Sequence, residues 1–151
     1  MNHRPLLAFS VYAAATFAMA SVLVACGTPP TDLDLSLRHP SAQGRFVVEM
    51  QPPAQGPAVG QMHAWTVKLA MPDGTPVQHA QIAIKGGMPQ HGHGLPTQPR
   101  VTRESAPGTY VVEGMKFSMT GWWDLHLDIS SDAAKDRAVF NVVMAEAGLS
   151  R

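Results

Sequence analysis

Cysteine is almost absent: Cys26 is the only one in 151 residues. A single cysteine excludes an internal disulfide and any multi-thiolate metal site. Charge is sparse as well. Asp, Glu, Lys and Arg make up 15% of the chain, against about a quarter in an ordinary soluble domain. The eleven basic residues balance the eleven acidic ones, and no basic stripe appears, which argues against a nucleic-acid partner. Aromatic residues reach only 7%, and no stretch after the first segment carries a helical period. Catalytic furniture is missing too. There is no activated serine arrangement, no nucleophilic cysteine and no phosphate-cradling glycine loop, so the chain reads as a binding protein rather than an enzyme.

What is present begins with an address. Arg4 precedes a small-residue apolar run from Leu6 to Val24, which ends at Leu23-Val24-Ala25-Cys26. A charged start, an apolar centre and small residues before a cut are the grammar of an export signal. Residues 1–25 therefore read as a lipoprotein signal peptide, with Cys26 as the lipidated first residue. The run is at the lower limit for a membrane span of about 20 residues, so an uncleaved anchor is the other reading. Several acyl chains give stable anchoring at about 0.8 kcal/mol per buried methylene. The expected location is the cell envelope, on the membrane through Cys26 and facing the periplasm. Gly27 in place of Asp favours the outer membrane over the inner. Residues 26–43 are rich in Thr, Pro, Asp and Ser and read as a flexible tether; Leu33, Leu35 and Leu37 alternate in it and suit a short edge strand.

From residue 44 to 151 the period is two. Phe46, Val48 and Met50 share a face, as do Trp65, Val67 and Leu69, and Ala80, Ile82 and Ile84. The clearest strand is Trp122 to Ser130, with Trp123, Leu125, Leu127 and Ile129 on one side and Trp122, Asp124, His126 and Asp128 on the other. Further strands are expected at Arg45–Met50, Gln61–Ala70, Val77–Lys85, Val101–Glu104, Thr109–Glu113 and Arg137–Met144. Gly86-Gly87 is expected to end one of them. Short strands at intervals of about 8–12 residues predict an all-β immunoglobulin-like sandwich of about seven antiparallel strands.

One segment stands out. Gly86 to Pro96 holds Met88, His91 and His93 among four glycines and two prolines. In extended backbone, residues two apart point to the same side, so His91 and His93 can approach one ion, with Met88 offering a thioether. Imidazole with thioether and no thiolate suits copper; zinc would want a further histidine or a carboxylate. The other reading is a surface loop with two solvated histidines. Met119 reads first as a core residue, since methionine fills gaps, with a ligand role as the alternative; Met115 is less predictable. Met62, His63 and His79 read as ordinary strand residues. Asp124, His126 and Asp128 read as a solvated strand face.

The order of these pieces resembles a known family. Lys85-Gly86-Gly87-Met88-Pro89 and His91-Gly92-His93 come first. Phe117-Ser118-Met119-Thr120-Gly121-Trp122-Trp123 and the alternating segment from Asp124 to Ile129 follow. Together they resemble the YtkA-like domain, related to FixH-like proteins, over about Arg45 to Val143. The resemblance implies a β-sandwich and an envelope location. FixH-like proteins carry a membrane helix and work near oxidase assembly and copper handling; here a lipobox stands in place of that helix. More distantly the chain resembles periplasmic copper-binding sandwiches that use Met and His. The functional expectation is copper buffering or delivery, with an envelope protein as copper donor or acceptor. The alternative is a non-catalytic interaction module with no metal. A superoxide-dismutase type of enzyme would need more converging histidines and a disulfide, neither of which is recognisable.

Overall fold

The computed structural model describes residues 30–146 and 148–150. The signal peptide 1–25 and the lipidation site Cys26 lie outside the described residues. Among the described residues no helix is long and apolar enough to cross a membrane. Ten strands form: β1 Arg38–Pro40, β2 Val47–Gln51, β3 Met62–Ala70, β4 Gln81–Met88, β5 His93–Gly94, β6 Arg100–Ala106, β7 Thr109–Lys116, β8 Gly121–Ser130, β9 Lys135–Ala145 and β10 Gly148–Ser150. Nine lie on one antiparallel path in the order β1-β2-β3-β7-β6-β4-β8-β9-β10, and β5 pairs with β4. The fold is all-β and its sheet is nearly closed, like a barrel.

Alternation drives this arrangement. Along β8 every second residue is buried: Trp123, Leu125 and Leu127 are fully inaccessible and Ile129 nearly so. Phe46, Val48, Val67, Val112 and Phe140 meet them from β9 and from across the barrel, all at 0% exposure. Each large apolar side chain so buried stabilises the fold by about 1.5–3 kcal/mol. Tyr110 brings a hydroxyl into this core. Its hydroxyl donates to Val77 O at 2.6 Å and accepts from Ala80 N–H at 3.0 Å, satisfying two main-chain groups of the loop that leads into β4.

Closure comes from the stretch expected to be a tether. Residues 38–40 form β1, Met50 N–H donates to Leu37 O at 2.8 Å, and Ala42 N–H donates to Arg137 O at 2.7 Å. The flexible-tether expectation therefore fails from Leu37 onward. Asp136 on β9 fixes the turn after β1: its carboxylate accepts from Ser41 Oγ at 2.6 Å, Gln43 N–H at 3.0 Å and Arg45 N–H at 3.3 Å. Asn141 Nδ2 donates to Asp34 O at 3.1 Å, and His39 packs its ring on Phe140 at 4.2 Å. The outer edge of β9 is thus shared between β10 and the N-terminal segment, which leaves it covered.

Two strand boundaries differ from the sequence expectation in ways that shape the site. β4 starts at Gln81 rather than Val77 and runs through Gly86 and Gly87 to Met88. The glycines do not end it, because Asp124 Oδ1 accepts the Gly87 N–H at 3.0 Å and the register with β8 continues. His79 is left in a bend with φ of 56°, so it is not a strand residue. Strand β7 passes through Gly114 and stops at Lys116.

Candidate functional site

The segment Gly86 to Pro96 is a β-hairpin. Met88 and His93 are Cα partners across β4 and β5, and residues 89–92 make the turn. His91 N–H and Gly92 N–H both donate to Met88 O, at 3.0 and 2.9 Å. Gly92 takes φ of 67°, a left-handed conformation that suits a residue without Cβ. Below the turn, a Cβ on Gly87 would lie 2.8 Å from His93 O, so the two arms approach each other only because position 87 is glycine. Leu95 N–H donates to Gly86 O at 2.9 Å, and Leu95 packs on the core, which roots the hairpin.

His91 and His93 are both exposed, and the structure brings them together. Their ring centroids are 6.0 Å apart and their planes differ by 22°. The turn, rather than extended alternation, produces this proximity. His93 also sets its ring against Trp123, at 5.9 Å and 66°, and Trp123 rests on Phe117 at 5.4 Å. The hairpin tip therefore sits over a rigid aromatic layer at one end of the barrel.

The two methionines trade the places expected of them. Met88 is 1% exposed; its Cε lies where a Cβ on Gly121 would come within 2.8 Å. It is a core residue beneath the hairpin, and its sulfur is not presented to solvent beside the histidines. Met119, for which core packing was the competing reading, is 41% exposed. The chain leaves the strand after Lys116, so period-two alternation no longer holds at residue 119. Its carbonyl accepts from Trp123 Nε1 at 3.2 Å, which places Met119 beside the aromatic layer under His93. Met115 is fully buried.

The alternating face of β8 is not simply solvated. Asp124 Oδ2 pairs with His126 Nε2 at 2.9 Å while its Oδ1 holds Gly87 N–H. Asp128 accepts from Arg137 Nε at 2.8 Å, and this hydrogen bond and charge hold its carboxyl below the usual range. With Lys85, Gly87 and His93 these residues line an open cleft of about 530 Å³ beside the hairpin. Asp124 is the residue that sequence reasoning missed. Nothing local marks it, because its role is a bond from β8 to the hairpin 37 positions away. Trp122 donates its Nε1–H to Asn141 Oδ1 at 3.0 Å and so covers β9 rather than the histidines.

Two other histidines are held by partners of their own. His63 Nε2 accepts from Ala58 N–H at 2.8 Å, and burial lowers its pKa. His79 is paired with Glu104 at 3.7 Å. Among the described residues no group of three His, Cys, Asp or Glu side chains converges as a metal site would require. The hairpin offers two imidazoles, and any further donor must be a thioether, a main-chain oxygen or water.

Residues 38–128 match the YtkA-like family. No curated protein matches the sequence. Among solved structures the ZirS C-terminal domain is similar at 14% identity, with a TM-score of 0.39 over 93% of this chain and 83% of that one.

Proposed function

The chain belongs to the YtkA-like family, and from that premise we propose that it is an envelope-anchored, non-catalytic copper-binding protein that takes the ion at His91 and His93 for buffering or delivery. The observation that carries this reading is the pair of exposed imidazoles that one turn brings to 6.0 Å, centroid to centroid. An ion held at about 2.0 Å by one nitrogen of each ring would set the ring centres roughly 5–6 Å apart. The hairpin is fixed by hydrogen bonds at its turn and its base, so little ordering is left to oppose binding. Met119 is the accessible thioether of the two named in the sequence, and Met88 supports the hairpin from below. Two imidazoles and a thioether suit copper better than zinc. In this reading the barrel serves as a rigid immunoglobulin-like scaffold, and the hairpin is its working end.

Anchoring through Cys26 fits the path of the chain. Leu37 and Asp34 are bound to Met50 and Asn141, so the N-terminal segment enters β1 from the hairpin end of the barrel. A lipid on Cys26 would hold that end toward the membrane, and the copper donor or acceptor would be an envelope protein at the membrane surface. The second reading is a metal-free interaction module, favoured by the open cleft beside the hairpin.

The test is metal titration of the full chain in detergent, beside a His91→Ala/His93→Ala variant. Stoichiometric copper uptake by the native chain and its loss in the variant is the expected result. Equal, weak uptake by both proteins rejects copper binding and leaves the interaction module.

A further inference from the structure

The outer face of β9 changes character along its length. Lys135, Arg137, Val139, Asn141 and Val143 share that face by alternation, with the cations at the far end and the apolar residues toward the hairpin end. Trp122 of β8 is the Cα partner of Val143, and His126 is that of Val139. The half-buried Trp122 reaches across to Asn141 Oδ1 at 3.0 Å, and Asn141 Nδ2 in turn holds Asp34 O at 3.1 Å. Leu35 follows directly. Leu35 and Val139 are 36% and 40% exposed, among the few large apolar side chains left open to solvent in the described residues. The neighbouring carboxylates of β8 are already engaged: Asp124 by His126 and the Gly87 N–H, and Asp128 by Arg137. The face is therefore apolar at its centre, with an indole at one side and the N-terminal segment fastened along it.

Resting on anchoring through Cys26, we infer that this face docks on the lipid surface, with Trp122, Val139 and Leu35 entering the boundary between headgroups and acyl chains. The chain that precedes the face names the occupant. Even fully extended, the link from Cys26 to Asp34 spans at most about 29 Å, and Asp34 is bonded to the face itself. A lipid on Cys26 therefore keeps these side chains within about one strand length of the bilayer, since the ten residues of β8 run roughly 33 Å. Contact with lipid becomes an intramolecular event at high effective concentration, so a small apolar patch suffices. Tryptophan suits that boundary because its ring is amphipathic. Asn141 already satisfies the Trp122 N–H, so the ring carries no unpaired donor into apolar surroundings. Strand β4, which bears the hairpin, neighbours β8, and the same contact fixes the hairpin close to the membrane instead of leaving it to swing on a tether.

The experiment places the full lipidated chain in phosphatidylcholine vesicles, with and without bromine on the acyl chains near the headgroup, and reads tryptophan fluorescence. Trp65 and Trp123 are sealed at 1% and 0% exposure, so contact quenching reports Trp122. The expected result is that the chain floats with the vesicles, that bromine quenches its emission, and that Trp122→Phe loses the quenching while the Trp65 and Trp123 emission is kept. Leu35→Glu/Val139→Glu should still float and should lose most of the quenching; both positions are exposed, and unchanged core emission verifies the fold. A native chain that floats without being quenched overturns the docked face and leaves the anchor standing. Quenching of Leu35→Glu/Val139→Glu equal to that of the native chain overturns it as well. Protection of Trp122 that grows with protein density while bromine has no effect assigns the face to a second copy of the chain, against the lipid. A chain that does not float overturns anchoring through Cys26, and this inference with it.

Discussion

Replacing Asp136 by Asn tests how the barrel is closed. Burial by itself pushes the Asp136 carboxyl up, but hydrogen bonds from Ser41, Arg137, Gln43 and Arg45 outweigh that and bring it from 3.8 down to about 2. Such a shift corresponds to roughly 2 kcal/mol of stability at neutral pH. The carboxylate is only partly buried, so solvent screening reduces the figure, and about 1–2 kcal/mol is the expected cost of Asp136→Asn. For a domain of this size that lowers Tm by roughly 3–8 °C. The pH dependence has a definite sign. A carboxyl whose folded pKa is depressed contributes its stability above the unfolded value, near 3.8, and loses it as pH falls through about 2. Urea unfolding followed by tryptophan fluorescence, repeated between pH 7 and pH 2, measures both effects. The native chain should lose stability steeply below about pH 4, and the variant should lose less over the same window. Equal midpoints at pH 7 and equal slopes below pH 4 would refute the idea that Asp136 latches the N-terminal turn to β9.

Two further substitutions probe the core and the site. Tyr110→Phe leaves Val77 O and Ala80 N–H without the hydroxyl that pairs them, and should cost about 1–3 kcal/mol; an unchanged urea midpoint would show that water replaces the hydroxyl without loss. Asp124→Ala frees Gly87 N–H and His126, and should cost about 1–2 kcal/mol and speed amide exchange at Gly87. Asp124→Asn retains an acceptor and should keep Gly87 protected, so equal exchange in all three proteins would remove Asp124 from its role in holding the hairpin.

Much of the strand pattern was legible because alternation is a local property. Trp123, Leu125, Leu127 and Ile129 needed no partner to declare a buried face, and Phe46, Val48 and Met50 read the same way. The hairpin was also legible, since glycine, proline and histidine are concentrated between residues 86 and 96. Its boundary was not. Gly86 and Gly87 look like strand breakers in isolation, but hydrogen bonds to β8 hold them in the ladder. The two methionines show the same limit. Met88 follows the inward parity of Ile82 and Ile84 once the strand is known to continue. Met119 escapes the parity of Phe117 because the chain bends after Lys116.

The sequence by itself determined the all-β class, the inward face of most strands, the family and the histidine pair on its turn, all of which depend on residue type and short spacing. The tertiary structure alone decided which thioethers reach solvent, how Asp136 and residues 37–45 close the sheet, and that Trp123 lies under His93. Those depend on register between strands far apart in the chain, where a shift of one residue would turn every side chain to the opposite face.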